Sequence, residues 1–250
     1  MKTKLILMFF FFYGVSLLVT LPAERAIAFI PKQAGIKVAQ ASGTLWNGKA
    51  LQLSYKKDLQ LQEVDWKFDW SALSHLQLKI AVKFNNGMHA MSGKGFIFWG
   101  FSGFSVEDLV VDSSAAELLT SRQLTVPVEV SGDVSLVIKK ASQGSPYCQE
   151  MDGYLIWNDA KVNSEMGNVD LDSAHIDLSC REGMIVADVK QKSEQLTTTA
   201  NFLLEEKGLY QVQGIIKAGD KLEPALKDAL SWMGGKNQAG ETKFQFNGKL

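Results

Sequence analysis

The sequence has few of the residues on which catalytic and metal sites usually depend. It contains three histidines, two cysteines and five prolines, and none of the HExxH, Walker A or G-x-S-x-G motifs occurs. His75, His89 and His175 are far apart, and His175 with Asp177 is interpreted as a surface pair on one strand face. We therefore expect no catalytic residue, no metal ion and no cofactor.

The sequence also lacks an excess of charge of either sign. Its 26 basic and 27 acidic side chains leave a formal net charge of −1, and no basic block stands out. Because nucleic-acid binding depends on neutralising phosphates, nucleic acid is excluded as a partner. The hydrophobic fraction of 46% is typical of a chain that buries a core.

One long charge-free run is present, at the N-terminus. Leu5–Leu21 follows Lys2 and Lys4 and as a helix would be about 25 Å long, close to the lower limit for crossing a bilayer. The lysines favour a cytoplasmic N-terminus. The sequence therefore predicts that residues 1–28 anchor the chain in a membrane and that residues 29–250 form the exported domain. The anchor residues are Leu5, Phe9, Phe10, Phe11, Phe12, Leu17, Leu18 and Leu21. A signal peptide cleaved after Ala26-Ile27-Ala28 remains the alternative.

The predicted export determines how the two cysteines are interpreted. Cys148 and Cys180 both lie in the exported part, and an even number of cysteines in an oxidising compartment indicates a disulfide. Closing a loop of this length would stabilise the fold by roughly 3–4 kcal/mol. Two buried free thiols are the alternative.

Most of the exported part alternates between apolar and polar residues, as half-buried antiparallel strands do. The stretch Leu76–Phe84 is the clearest example, and about a dozen such strands separated by turn residues are expected. The predicted fold is mainly β: a curved antiparallel sheet, shaped as a half-pipe or sandwich-like, with two short helices over Ser113–Leu124 and Asp220–Met233. A waist near residues 141–147 is expected within this single domain.

Four segments repeat a glycine followed by an apolar run, and three of them end in tryptophan. They are Gly43–Trp46, Gly95–Trp99, Gly132–Leu136 and Gly153–Trp157. Our interpretation is that each glycine relieves a bend in a strand while the tryptophan packs on the sheet. An aromatic ligand-binding trough, to which Trp66 and Trp70 would contribute, is the alternative.

Several motifs in order along the chain resemble one known family. They are residues 41–50 (ASGTLWNGKA), 64–66 (VDW), Ala72-Leu73, Cys148, 151–157 (MDGYLIW), 180–183 (CREG) and 244–250 (FQFNGKL). The chain resembles the type II secretion system protein N family over nearly its whole length. The residues that carry the resemblance are Gly43, Thr44, Leu45, Trp46, Gly48, Trp66, Gly153, Trp157, Gly248 and Leu250. It departs from the family at Trp70-Ser71, where a proline is common.

The resemblance implies an accessory, non-enzymatic component of the inner-membrane part of the type II secretion apparatus, which exports folded proteins from the periplasm of Gram-negative bacteria. Its implied place is the inner membrane, crossed once, with the bulk of the chain in the periplasm. Its implied partners are other inner-membrane components of that apparatus. The alternative resemblance is to AsmA-type periplasmic proteins, whose β-grooves handle lipid. The mostly polar second face of strands such as Leu76–Phe84 favours a protein-binding scaffold over a lipid groove.

Overall fold

The structure is a computed structural model, and it describes residues 2–56, 59–87, 90–101, 103–120, 128–234 and 237–249. In these ranges thirteen strands form one sheet, and each strand pairs antiparallel with its neighbours in the chain. They are β1 (Ile36–Gly43), β2 (Asn47–Tyr55), β3 (Leu59–Asp69), β4 (Gln77–Asn85), β5 (Ser92–Gly100), β6 (Gly103–Ser114), β7 (Val128–Gln143), β8 (Cys148–Ser164), β9 (Gly167–Arg181), β10 (Met184–Lys192), β11 (Leu196–Leu204), β12 (Leu209–Ala218) and β13 (Glu241–Lys249).

The prediction of a mainly β, antiparallel fold is confirmed, but the sandwich-like alternative is not. A sandwich needs two sheets packed face to face, whereas all the strands of the described ranges belong to one open sheet. This arrangement, a β-meander, follows from short turns that let each strand pair with the next one in the chain. Glu182 and Gly183, for example, both have positive φ, as the two central residues of a tight hairpin turn require, and they join β9 to β10.

Four α-helices occur in the described ranges: α1 (Lys2–Val19), α2 (Ala23–Ile27), α3 (Ala115–Thr120) and α4 (Pro224–Met233). Helix α3 lies within the predicted Ser113–Leu124 helix, whose residues beyond Thr120 lie outside the described residues. Helix α4 fills most of the predicted Asp220–Met233 helix and contacts β13. It begins with Pro224, whose fixed φ suits the first helical position. The short helix α2 was not predicted.

The predicted membrane anchor coincides with α1. The residues Leu5, Phe9–Phe12, Leu17 and Leu18 lie on this helix, and Leu21 follows its last turn. Among the residues that the structure describes, no helix is both long enough and apolar enough to span a membrane. The predicted membrane-spanning helix is therefore not observed.

The two faces of the sheet differ in chemistry. On the face that we name the apolar face, a row of paired residues runs Val111, Leu136, Leu155, Ile176 and Val189. The adjacent row of paired residues lies on the face that we name the polar face and runs Asp112, Ser135, Ile156, His175 and Lys190. This is the alternation predicted from the sequence, because successive side chains of a strand point to opposite faces.

Several large and well-buried side chains belong to the apolar face, where large residues pack over small ones. Val64, Phe68, Phe84, Val134 and Ile138 are all less than 10% exposed. Glycine is required where two strands bring an aromatic ring over the backbone: a Cβ added to Gly93 would lie 2.6 Å from the ring of Phe84. Such aromatic–glycine pairs fill the space that the missing side chain leaves.

Candidate functional site: the junction of helix and sheet, and a lysine cavity

The motif Gly43–Gly48 forms a tight turn between β1 and β2. The backbone N–H of Thr44 donates to the carbonyl of Asn47 at 2.9 Å, and the N–H of Asn47 donates to Thr44 Oγ1 at 3.1 Å. Gly43 has a φ of 84°, which a residue with a side chain rarely adopts. The turn therefore depends on the glycine and the threonine of the motif.

This turn binds the end of the apolar helix. Trp46 Nε1 donates to the carbonyl of Leu18 at 2.8 Å, and the N–H of Leu45 donates to the carbonyl of Leu21 at 2.9 Å. Trp66 on β3 stabilises the turn, because its Nε1 donates to the carbonyl of Leu45 at 3.0 Å. We name this set of contacts the junction. It provides donors to carbonyl groups at the end of α1, where the regular hydrogen bonds of the helix run out; the carbonyl of Leu18 otherwise accepts only a long bond of 3.4 Å from the N–H of Leu21.

An aromatic cluster packs against the junction. The ring centroids of Trp46, Phe68 and Trp70 lie 4.6 to 5.0 Å apart. Trp70 opens a 3-10 turn that Asp69 caps, with the Asp69 carboxylate accepting from the N–H and hydroxyl of Ser71. These hydrogen bonds lower the pKa of Asp69 because they favour the charged form.

The remaining residues of the family resemblance lie elsewhere on the sheet. Trp157 Nε1 donates to the carbonyl of Ser131 at 3.0 Å, which ties β8 to β7. Gly153 faces the side chain of Ile138, and Gly248 faces the ring of Tyr210. Leu250 lies outside the described residues. The structure thus brings Gly43, Thr44, Leu45, Trp46, Gly48 and Trp66 together, and it spreads Gly153, Trp157 and Gly248 over other strands.

Cys148 and Cys180 form the predicted disulfide, with their Cα atoms 6.1 Å apart. The bond joins the start of β8 to the end of β9. The loop before it reaches further across the sheet. The N–H groups of Tyr147 and Cys148 donate to the carbonyl of Gly183, and Tyr147 Oη accepts from the N–H of Gly208 at 2.8 Å. The disulfide and this loop together tie β8 to the hairpin turns as far as β12.

His175 and Asp177 form a hydrogen bond of 2.9 Å on the polar face. Lys190 lies 3.2 Å from the same carboxylate, and the ring of Tyr154 stacks on that of His175 at 5.7 Å. The hydrogen bond from His175 is the largest cause of the lowered pKa of Asp177, and Lys190 adds to it. The group is open to solvent and joins neighbouring strands. Within the described ranges, no three metal-ligating side chains lie together in a way that could hold an ion.

A cavity of about 600 Å³ opens on the polar face of β2–β5. Four lysines line it, Lys49, Lys67, Lys83 and Lys94, together with the acidic Asp65 and Asp108 and the apolar Ala81 and Phe96. Lys49 pairs with Asp65 at 3.4 Å. The other three lysines have no ion-pair partner among the residues that the structure describes. We name this the lysine cavity.

Sequence reasoning did not find the lysine cavity. Its lysines come from four strands, and each is simply the polar member of an alternating pair. Only the register, which places Lys49, Asp65, Lys83 and Lys94 in one row, gathers them. The spacing of the lysines within each strand does not indicate that they lie together.

Comparisons with known proteins identify the chain's relatives. Residues 34–245 match the family described as "Type II secretion system (T2SS), protein N". The chain is 30% identical over 236 residues to Type II secretion system protein N of Vibrio cholerae serotype O1, covering 94% of this chain and 93% of that protein. It is 26% identical over 255 residues to the protein of that name from Aeromonas hydrophila, covering all of both chains.

A third relative, from Pectobacterium carotovorum subsp. carotovorum, is 30% identical over 239 residues, covering 95% of this chain and 93% of that protein. No solved structure gives a significant match. The resemblance found in the motifs is confirmed over nearly the whole length. The chain belongs to the type II secretion system protein N family and is a non-enzymatic component of the type II secretion pathway.

Proposed function

We propose that the protein is an accessory scaffold in the inner-membrane part of the secretion apparatus. In this proposal residues 1–28 hold the chain at the inner membrane through Leu5–Leu21, and residues 29–250 form one periplasmic domain. The side chains of α1 support the attachment, because its large apolar residues from Leu5 to Val19 are 41 to 72% exposed. The disulfide supports the compartment, since such bonds persist in oxidising spaces.

The lysine cavity is the observation that carries the scaffold role. A shallow site with several unpaired lysines around an apolar floor suits an acidic segment of a partner protein that also places an apolar side chain on Phe96 and Ala81. Within the site the ion pair of Lys49 with Asp65 at 3.4 Å joins β2 to β3. The proposed partners are other inner-membrane components of the secretion system.

A charge reversal tests this role. The double variant Lys83→Glu, Lys94→Glu should lose periplasmic crosslinks to other secretion components and should reduce export of type II substrates at least several-fold. The matched control is Lys161→Glu, Lys192→Glu, which reverses two exposed lysines on β8 and β10, far from the cavity. Equal export and equal crosslinking in both double variants would contradict the scaffold role of the cavity.

Lipid handling is the second candidate function, and the apolar face favours it. In the described ranges no second sheet covers this face, and Phe246 on β13 is 51% exposed there. An open apolar surface of this kind can hold acyl chains. The polar chemistry of the opposite face is the reason why the protein scaffold is proposed first.

Co-purified phospholipid distinguishes the two functions. If the apolar face holds lipid, detergent-extracted protein should carry phospholipid at a fixed ratio, and Phe246→Asp should remove it. Gln245→Asp is the matched control, because Gln245 is the neighbouring residue on the polar face. The same small lipid content in the wild type and in both variants would exclude the lipid function.

A further inference from the structure

Large apolar side chains are exposed in three turns at one end of the sheet. These turns join β1 to β2, β3 to β4 and β5 to β6, and every second turn of an antiparallel meander lies at the same end. We name the exposed residues in and beside these turns the turn rim: Leu45, Trp70, Leu73, Leu76, Trp99 and Phe101. Their exposed fractions rise from 39% for Leu45 to 95% for Phe101.

The turn rim is confined to one half of this sheet end. Residues 43–47, 70–76 and 99–103 contain no aspartate, glutamate, lysine or arginine. Further along the same end, the turn from β9 to β10 contains Glu182, and the turn from β11 to β12 contains Glu205, Glu206 and Lys207. Exposed leucines and aromatic residues scattered singly are ordinary on a protein surface, but a group of this size marks an interaction site.

The turn rim is continuous with the apolar helix. Leu45, its first member, is hydrogen-bonded to Leu21, the last residue of the charge-free run. Trp70 lies with its ring 4.6 Å from that of Trp46, which is bonded to Leu18 near the end of α1. Any apolar medium that receives α1 therefore lies next to the turn rim. This continuity selects the bilayer over an unrelated partner.

We propose that the turn rim docks into the interfacial region of the lipid bilayer, so that the sheet stands on the membrane through both α1 and the rim. The inference rests on the proposed attachment through Leu5–Leu21. Tryptophan suits this region because its ring is apolar and its N–H is polar. The apolar area that the turns bury supplies the affinity, as it does for other proteins that lie at the membrane surface.

Docking of the turn rim has a consequence for the lysine cavity. Two of the cavity-lining residues, Asn47 and Lys67, form the first paired position of β2 and β3 above the turns of the rim. With the rim in the interface, the cavity is held close above the membrane surface. Periplasmic segments of inner-membrane proteins emerge at that height.

Fluorescent probes placed at single cysteines test the docking. Because Cys148 and Cys180 are bonded to each other, one added cysteine is the only reactive thiol. The full-length variants Leu73→Cys and Phe101→Cys are labelled with an environment-sensitive nitrobenzoxadiazole probe and reconstituted into vesicles of phosphatidylethanolamine and phosphatidylglycerol. Glu206→Cys is the matched control at the same sheet end, and Phe11→Cys reports on α1.

The expected result is a blue-shifted emission at positions 73 and 101, with quenching by shallow spin-labelled lipids several-fold stronger than at position 206. Water-like emission at 73 and 101 beside deep quenching at position 11 would overturn the docking and leave the helix attachment intact. Water-like emission at all four positions would overturn the attachment as well. A blue shift at 73 and 101 without lipid quenching would identify a protein contact and would also overturn the docking.

Discussion

At the scale of single residues, indole N–H groups fix the relation between strands and helix. Trp46, Trp66 and Trp157 each donate to a backbone carbonyl that lies 21 to 28 positions away in the sequence. Trp99 makes no such bond with the residues that the structure describes, and it is 63% exposed. The three tryptophans of the glycine-containing segments thus separate into two kinds. Trp46 and Trp157 hold distant parts of the fold together, and Trp99 faces outward.

Removing the Trp46 hydrogen bond should weaken the junction but leave its aromatic packing in place. In Trp46→Phe the aromatic ring still packs on Phe68 and Trp70, but the carbonyl of Leu18 loses its shorter hydrogen bond and keeps only the one from the N–H of Leu21 at 3.4 Å. The free energy of unfolding should fall by about 1 kcal/mol, the typical net value of one such bond, measured by urea unfolding of the detergent-extracted protein. Trp99→Phe is the control and should change little. Equal losses in the two variants would show that the bond contributes nothing.

The pKa of Asp177 predicts a specific response to acid. Its hydrogen bond from His175 and its contact with Lys190 lower the pKa in the folded state below the ordinary value of 3.8. The carboxylate therefore adds stability above that value, and this contribution is lost as the pH falls through the folded-state pKa. In Asp177→Asn, the free energy of unfolding should decline less steeply below about pH 4. The contribution is small because the group is exposed. If the free energy of unfolding of Asp177→Asn falls as steeply below pH 4 as that of the wild type, the prediction is wrong.

At the scale of elements, the sequence predicts the strands better than their arrangement. Leu76–Phe84 was expected to be a strand from its alternation and corresponds to β4, apart from Leu76, which ends the preceding turn with a φ of 56°. Alternation tells which face a residue occupies, but it does not tell which strand lies alongside. The lysine cavity and the junction depend on pairing and on contacts between distant residues, so neither could be derived from the sequence.

The disulfide and the Tyr147 loop should stabilise the C-terminal half as a unit. The double variant Cys148→Ser, Cys180→Ser should lose about 3–4 kcal/mol, the value expected from closing a loop of 32 residues in the unfolded chain. Tyr147→Phe should lose only about 1 kcal/mol through its bond to Gly208. Urea unfolding of the wild type under reducing conditions is the control and should match the double serine variant. A loss of unfolding free energy in Tyr147→Phe without one in the double serine variant would contradict this prediction.

At the scale of the whole molecule, the sheet is a linear array. Every strand in the described ranges contacts mainly its neighbours in the chain, as the units of a repeat protein do. Stability in such an array is approximately a sum of local terms and nearest-neighbour terms. The strands β7, β8 and β9 are the longest, with 16, 17 and 15 residues, and two of them carry the disulfide. In the described ranges the edge strands β1 and β13 each pair with one neighbouring strand only.

Amide hydrogen exchange should therefore be graded from the centre of the sheet outward. Amides of β7–β9 should exchange most slowly, because each of these long strands has two partners and opening one requires breaking both ladders. Amides of β1 and β13 should exchange fastest among the strands, and exchange should be slower at the β1–β2 turn, where the junction holds Leu45 and Trp46 against Leu21 and Leu18. Mass spectrometry of peptic fragments at several exchange times measures the gradient. The variant Trp46→Phe provides an internal check, since it should speed exchange in the β1–β2 turn and leave β7–β9 unchanged. One uniform protection level from β1 to β13 would mean that the sheet opens as a single cooperative unit, and the description as a linear array would then be wrong.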